Sequence, residues 1–228
     1  CKMGDIKVGE EINFTVPTGN FGNILAGYYS KKMGLPIKHL ICASNENKVL
    51  YDFLNTGVYD KIRDFIITMS PSMDMVNELM EQLSVKGTYS INNQAREKLD
   101  DFFGYYASEA DTAEAISKIF KSDRYVIDTH TAVAFSAYEK HRNLKWDDNT
   151  KTVIVSTASP YKFTPDVMES IDLKYSGQNS FHLIKEMSRL TETEIPIGIR
   201  NLDSKPVIHN TVCGKDEMKE KVVTILGI

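Results

Sequence analysis

The sequence predicts an α/β fold: a mostly parallel open sheet with helices on both faces. Three observations carry this. Short apolar runs alternate with stretches of helical spacing along the first third of the chain. The connections between those runs are long enough to cross back and start a parallel neighbour. The loops that follow the runs hold small and polar residues, as expected where an open sheet presents its ligand-facing ends.

In the first run, Ile12, Phe14 and Val16 alternate with polar residues at the period of a half-buried strand. Ile24, Leu25, Tyr28, Tyr29 and Met33 then fall at helical spacing, and Gly34 and Pro36 supply a stop. Lys38–Ala43 reads as a second strand. Ser44-Asn45-Glu46-Asn47 is expected to cap a helix through Val49, Leu50, Phe53 and Leu54, with Gly57 ending it. Phe65–Thr68 reads as a third strand, delivering Ser70-Pro71-Ser72-Met73-Asp74 at its end.

The middle, residues 76–121, has a different texture and reads as a helical insertion. Leu79, Met80 and Leu83 suggest one amphipathic helix, and Ala95, Leu99, Phe102 and Phe103 a second, with Gly104 after it. Ala113, Ile116, Ile119 and Phe120 suggest a third, started by Ser108 with acidic residues in its first turn. Strand rhythm returns at Tyr125-Val126-Ile127, before a helix through Val133, Phe135 and Tyr138, and again at Thr152–Ser156. Helices near Asp166–Leu173 and Phe181–Leu190 follow. Pro206-Val207-Ile208 and a helix around Met218, Val222, Val223 and Leu226 close the chain.

The 228 residues suffice for one substantial domain or part of a two-domain protein. Hydrophobic residues make up 42% and charged residues 25%, as in an ordinary globular chain. With 27 basic against 31 acidic residues, the net charge of −4 argues against a general nucleic-acid or anionic-membrane binder. No apolar run approaches membrane-spanning length. Cys1, Cys42 and Cys213 are odd in number and widely spaced, so neither a disulfide framework nor a thiolate zinc site is indicated. Free thiols in a reducing cytoplasm are the expectation. His39, His130, His141, His182 and His209 have no metal-ligand spacing, and each is expected to be a hydrogen-bonded structural residue. Asp74 and Asp128 lie in strand-end loops, but sequence does not give their separation, so a paired-carboxylate site rests on little.

The stretch most suggestive of chemistry joins the first strand to the first helix. Gly19, Asn20, Phe21, Gly22 and Asn23 put two glycines and two asparagines in five residues. Glycine lets a backbone turn sharply and approach a ligand closely. Backbone N–H groups at the positive end of a helix suit a phosphate. No Gly-Lys-Ser/Thr follows, so this is not a P-loop, and the three-glycine dinucleotide fingerprint is absent. From the glycines alone, a tight strand-to-helix turn that binds nothing is at least as good a reading.

The order Pro17-Thr18-Gly19-Asn20-Phe21-Gly22-Asn23 resembles the cofactor-phosphate loop of threonine synthases, pyridoxal-phosphate enzymes of the tryptophan-synthase-β-like fold. Asp128-Thr129-His130-Thr131-Ala132 is similar to that family's Asp-Pro-His-Thr-Ala segment, with Thr129 where proline is usual. Thr157-Ala158-Ser159-Pro160-Tyr161-Lys162-Phe163 is similar to its Thr-Ala-x-Pro-x-Lys-Phe segment. Asn45-Glu46-Asn47, Phe53–Gly57 and Ser70–Asp74 match in order, so the resemblance runs from Gly9 to the C-terminus.

The resemblance implies the large, cofactor-phosphate-binding domain of fold type II over residues 1–228. The backbone of Gly19, Asn20, Phe21, Gly22 and Asn23 would hold the phosphate of pyridoxal 5′-phosphate, and the Thr157 hydroxyl would meet its pyridine nitrogen. It further implies a cytoplasmic lyase that turns O-phospho-L-homoserine and water into L-threonine and phosphate, with no metal, nucleic acid or membrane involved. The family's Schiff-base lysine lies upstream of these motifs, so Lys162 is not assigned that role and no catalytic residue is expected here. The chain is accordingly expected to be the C-terminal portion of a longer protein, inactive by itself. Ser70–Met75 runs almost directly into Val76, where the family has a longer helical stretch, and residues are expected to be absent near Met75. The rivals are another lyase of the same fold, such as threonine dehydratase or cysteine synthase, and a catalytically silent ligand-binding homologue.

Overall fold

The structure, a computed structural model, describes residues 5–60 and 73–228. The chain divides into two compact units, Cys1–Glu194 and Ile195–Ile228. The first unit opens with β1 (Ile12–Pro17), α1 (Gly22–Lys32), β2 (Ile37–Ser44), α2 (Val49–Thr56) and β3 (Val58–Asp60). It continues with α3 (Met73–Lys86), β4 (Thr88–Ser90), α4 (Asn93–Glu97), β5 (Phe102–Tyr106), α5 (Glu109–Asp123) and α6 (Thr129–Leu144). β6 (Lys151–Ile154), α7 (Thr164–Ile171) and α8 (Ser180–Thr191) complete it, and the second unit contains α9 (Met218–Leu226).

Among the described residues the main sheet has the order β5-β2-β1-β6, with every neighbouring pair parallel. β3 and β4 form a separate antiparallel ribbon. Strand β2 shows why helices cover both faces. Its residues are apolar in succession, so a period of two sends them to opposite sides, each needing cover. Leu40 and Cys42 enter one core with Ile24 of α1 and Val49 and Phe53 of α2. Ile41 and Ala43 enter the other, with Val133, Ala134 and Ala137 of α6. The small side chains of Ala134 and Ala137, both fully buried, let α6 lie close to the sheet. Leu40 and Ile41 are fully buried too, a gain of roughly 1.5–3 kcal/mol each over exposure. Outside this layer α5 packs on α6 and α7, and α7 packs on α8.

The stop signals act as their chemistry dictates. α1 ends at Met33, followed by Gly34 at φ +103°, and α2 ends at Gly57 in the left-handed conformation. α5 starts with a capping box in which Ser108 Oγ accepts from the Asp111 N–H and the Asp111 carboxylate accepts from the Ser108 N–H.

Three expectations are corrected. The helix expected over Ala95–Phe103 is instead the short α4 followed by strand β5, so residues 76–121 are not wholly helical and supply a strand to the main sheet. The spacing of Leu99, Phe102 and Phe103 suits either structure; the run Phe102-Phe103-Gly104-Tyr105-Tyr106 has the aromatic content of a strand. Its alternation confirms it, since Phe102 joins the core under α1 and α2 and Phe103 the one under α6. Gly104 is needed for packing: a Cβ there would lie 3.2 Å from Leu54 Cβ, so α2 approaches the strand where no side chain intervenes.

Tyr125-Val126-Ile127 joins no ladder among the described residues; the segment has no regular structure as far as Asp128 and buries Ile127. Pro206–Ile208 is irregular and exposed. Helix α2 is preceded by Lys48 with no side-chain cap, and Asn45 makes a local turn by accepting from the Asn47 N–H. The strand expected at Phe65–Thr68 and the residues Ser70–Ser72 lie outside the described residues. Among those described, no helix is long and apolar enough to cross a membrane, and no group of His, Cys, Asp or Glu side chains is placed to hold a metal ion.

Candidate active site

Parallel pairing brings together loops far apart in sequence. β1 is flanked by β2 and β6, and all three run the same way, so their C-terminal ends open on one side of the sheet. The loop after β1 therefore meets the loop after β6, about 140 residues later. The connections also switch faces of the sheet here. The crossover from β1 goes through α1 to β2, whereas β6 is entered from α6 on the other face, which leaves a crevice of the kind that binds ligands in open α/β sheets.

A cavity of about 320 Å³ occupies this crevice. Pro17, Thr18, Gly19, Asn20 and Asn23 line it from β1 and its loop, Ala43 and Asn45 from the end of β2. The start of α6 contributes His130 and Val133, and the loop after β6 contributes Thr157, Ala158 and Lys162. Among the described residues the lining includes no carboxylate, and its one charged side chain is Lys162.

The loop after β1 is tied down by Thr18. Its N–H donates to Ala43 O at 2.8 Å and its hydroxyl to Val16 O at 2.6 Å, and the residue is buried. Beyond it the backbone opens. A Cβ built on Gly19 or Gly22 would meet no atom of the described residues within 4 Å, and neither glycine has a positive φ. Packing and backbone strain therefore give no reason for glycine at these positions, whereas close approach of a ligand does. The first turn of α1 has neither a side-chain cap nor an acidic residue, so its leading N–H groups remain available to an anion. Phe21 does not line the cavity: its ring packs 5.6 Å from that of Phe102 and anchors the turn to β5. Gly22 opens α1 beside the lining residue Asn23.

The opposite wall is set by Asp128. It is almost wholly buried, and one carboxylate oxygen accepts from the N–H groups of His130 at 2.9 Å and Thr131 at 3.1 Å. Its other oxygen accepts from the Thr131 hydroxyl, which also lies 3.1 Å from Ser156 Oγ. Asp128 is thus the N-cap of α6, linked through Thr131 to the strand end that delivers Thr157. The carboxylate is used to hold the helix, and the side chain of Asp74, its candidate partner, lies outside those described.

Thr157 lines the same cavity as Gly19, Asn20 and Asn23, and it is exposed, with no hydrogen bond from its hydroxyl to another described residue. Lys162 sits on a 3-10 turn, Pro160–Phe163, that is firmly held. Its N–H donates to Ser159 O, and the buried Tyr161 donates its hydroxyl to Thr193 O at 3.1 Å. His130 departs from expectation. Its side chain is exposed at the cavity and meets the Phe163 ring edge to face at 4.9 Å, without a hydrogen bond among the described residues. Asn45 and Thr18 were not singled out by sequence; their place just beyond strand ends is the signal that finds them.

The strongly shifted ionisable groups do not mark this site. Towards the N-terminal ends of the strands, the His39 ring lies 5.8 Å from that of His141, and the Tyr105 hydroxyl is 3.1 Å from His141 Nδ1. Burial pushes the His141 imidazole down from 6.5 to about 4, helped by the charge of nearby His39 and Lys145. Burial likewise lowers His39. For Asp148 burial acts upward but is outweighed by hydrogen bonds from Lys38 and Thr150, which hold its carboxyl well below the usual range. Because the unfolded chain takes up a proton on His141 before the folded protein does, stability should be complete above about pH 6.5 and decline towards pH 4. The expected loss by pH 4 is about 3 kcal/mol. Urea unfolding followed across this range should show a shallower decline in His141→Gln; the same slope in both proteins would exclude the histidine as its source. Asp148 contributes only below its ordinary value of 3.8, so the two are separable.

A larger cavity of about 530 Å³ lies between α5 and α7, but Glu109, Glu114, Asp166, Glu169 and Asp172 line it. That excess of negative charge disfavours a phosphate ligand. The crevice at the strand ends is the better candidate.

Comparison with known proteins agrees with the fold and the motifs. Residues 131–207 match the family described as threonine synthase, C-terminal. Over 243 residues the chain is 32% identical to threonine synthase-like 1 of Macaca fascicularis, covering 96% of this chain and 30% of that protein. It is 32% identical over 215 residues to threonine synthase of Saccharomyces cerevisiae, covering 79% of this chain and 41% of that protein. Among solved structures, pyridoxal-phosphate-bound threonine synthase from Brucella melitensis superposes with a TM-score of 0.70 at 27% identity, over 97% of this chain and 47% of that one. The chain therefore spans less than half the length of each of these relatives.

Proposed function

Because the chain belongs to the threonine synthase family, with the fold type II architecture of its pyridoxal-phosphate enzymes, we propose that the crevice is part of a pyridoxal 5′-phosphate site. The intact protein, in this reading, converts O-phospho-L-homoserine and water to L-threonine and phosphate. The observation that supports it best is the meeting of an open glycine loop and a threonine hydroxyl, unengaged among the described residues, in one cavity.

The residues fit the group. The backbone N–H groups of Gly19, Asn20, Phe21, Gly22 and Asn23 would receive its phosphate, with no side chain at the glycines to hold it off. The Thr157 hydroxyl would donate to its pyridine nitrogen, and a neutral partner there leaves that nitrogen unprotonated where a carboxylate would not. Pro17, Ala43, Val133 and Ala158 supply apolar wall that limits water beside the ring. When bound, the cofactor supplies an electron sink for elimination and replacement on the substrate side chain. The lysine that joins it covalently is assigned to a segment other than these residues, and no catalytic residue is placed among them. The reading takes residues 1–228 as belonging to the large, cofactor-phosphate-binding domain of a cytoplasmic enzyme.

The test is phosphate release from O-phospho-L-homoserine by the intact protein, with threonine formed in equal amount. Binding of pyridoxal phosphate without phosphate release would overturn the substrate assignment, and failure to bind it would overturn the site.

A further inference from the structure

The Asp128–Ala132 motif has a part that the cofactor reading leaves without a role. Thr131 is buried in the first turn of α6, and its hydroxyl faces two side-chain oxygens, Asp128 Oδ2 and, at 3.1 Å, Ser156 Oγ. Proton count fixes the direction of both bonds. A hydroxyl has one proton to give and a carboxylate has none, so Thr131 donates to Asp128 and accepts from Ser156. Ser156 is itself exposed, so this bond to a buried partner supplies a hold that packing does not. One residue earlier the strand end is pinned again, by the Val155 N–H donating to Thr15 O at 2.9 Å. On the other side Ser159 Oγ accepts from the Tyr161 N–H, and the Tyr161 hydroxyl is tied to Thr193 O at 3.1 Å. Thr157, which lines the cavity, therefore sits on a short span with both ends anchored.

We infer that Thr131 is a positioning residue: through Ser156 it fixes where the Thr157 hydroxyl stands in the cavity. The inference rests on the reading above for what that hydroxyl meets, the pyridine nitrogen of pyridoxal 5′-phosphate, and adds the residue that aims it. A hydroxyl is needed at position 131 because only a group that donates and accepts at once can serve both the carboxylate and the serine. Aim matters because a hydrogen bond weakens steeply once its length and angle leave the favoured range. Asp128 holds the start of α6, and Thr131 passes that fixed point on to the strand end.

The experiment compares the intact protein as wild type, Ser156→Ala, Thr157→Val, the double variant, Thr131→Val and Thr131→Ser. It reads the affinity for pyridoxal 5′-phosphate by equilibrium titration, the nitrogen NMR resonance of cofactor labelled at its ring nitrogen, and the urea midpoint. Ser156→Ala leaves the Asp128–Thr131 bond in place, so its urea midpoint should stay within about 0.3 M of wild type. Its cofactor affinity should fall about fivefold, the worth of one hydrogen bond. Its ring-nitrogen resonance should move in the same direction as in Thr157→Val, by a smaller amount. Added to Thr157→Val, it should change neither affinity nor resonance, since the hydroxyl it aims is gone. Thr131→Val should lower the urea midpoint and weaken the cofactor at least as much as Ser156→Ala, and Thr131→Ser should restore the affinity to within about twofold. An unmoved resonance in Ser156→Ala, or the same loss of affinity with and without the Thr157 hydroxyl, would overturn the positioning role and leave the cofactor site standing. Wild-type affinity and resonance in Thr157→Val would instead overturn the contact with the ring, and the inference with it.

Discussion

Gly19→Val should lower the affinity for pyridoxal 5′-phosphate about a hundredfold, roughly 2.8 kcal/mol, while folding stability changes by less than about 0.5 kcal/mol. The two halves of this result have one cause. A Cβ on Gly19 enters empty space, and its backbone is not in the left-handed region, so the protein has little to lose by accepting a side chain. That space is where a phosphate must come within hydrogen-bonding distance of the loop N–H groups, and valine methyls would keep it out. Urea unfolding and an equilibrium cofactor titration on the same preparation measure both quantities. Equal affinity in the variant would mean that the phosphate lies elsewhere. A large loss of stability would mean that glycine serves the fold instead. Gly104 is the internal contrast, because a Cβ there runs into Leu54.

Asp128→Ala should cost about 3 kcal/mol of folding stability, and Asp128→Asn about 1 kcal/mol. The aspartate is 1% exposed and satisfies two N–H groups at the start of α6 and the Thr131 hydroxyl. Alanine leaves those donors buried without acceptors, whereas asparagine keeps one acceptor in place and loses only the charge near the helix N-terminus. The first turn of α6 carries His130 and leads to Val133, both lining the cavity, so Asp128→Ala should also weaken cofactor binding there. Urea midpoints for the three proteins give the ranking. A cost below about 1 kcal/mol for alanine would show that α6 is held by its apolar face alone.

How legible each element was follows from where its determinants lie. The capping box at Ser108 and Asp111 and the stop at Gly57 were readable because the residues that decide them are a turn apart. Phe102-Phe103 was misread as helix because apolar spacing in so short a run fits both periods. What makes it a strand is the free edge of β2, to which it pairs residue for residue from Leu40–Phe102 to Ser44–Tyr106. Tyr125–Ile127 differs in the opposite sense: its composition suits a strand, but it pairs with none among the described residues. His130 was expected to be tied into hydrogen bonds, yet it is Asp128 that is consumed by capping and the imidazole that is left at the cavity.

By itself the sequence determined the alternation of strands and helices, the caps and stops, and the glycine and threonine motifs, because each depends on residues within a few positions of one another. Only the tertiary structure decided which of those motifs share a cavity, which polar groups are spent on the fold, and which are left facing the opening. Those outcomes depend on the order and direction of strands in the sheet, and that order comes from burying both faces of β2 at once, a condition that no local stretch of sequence contains.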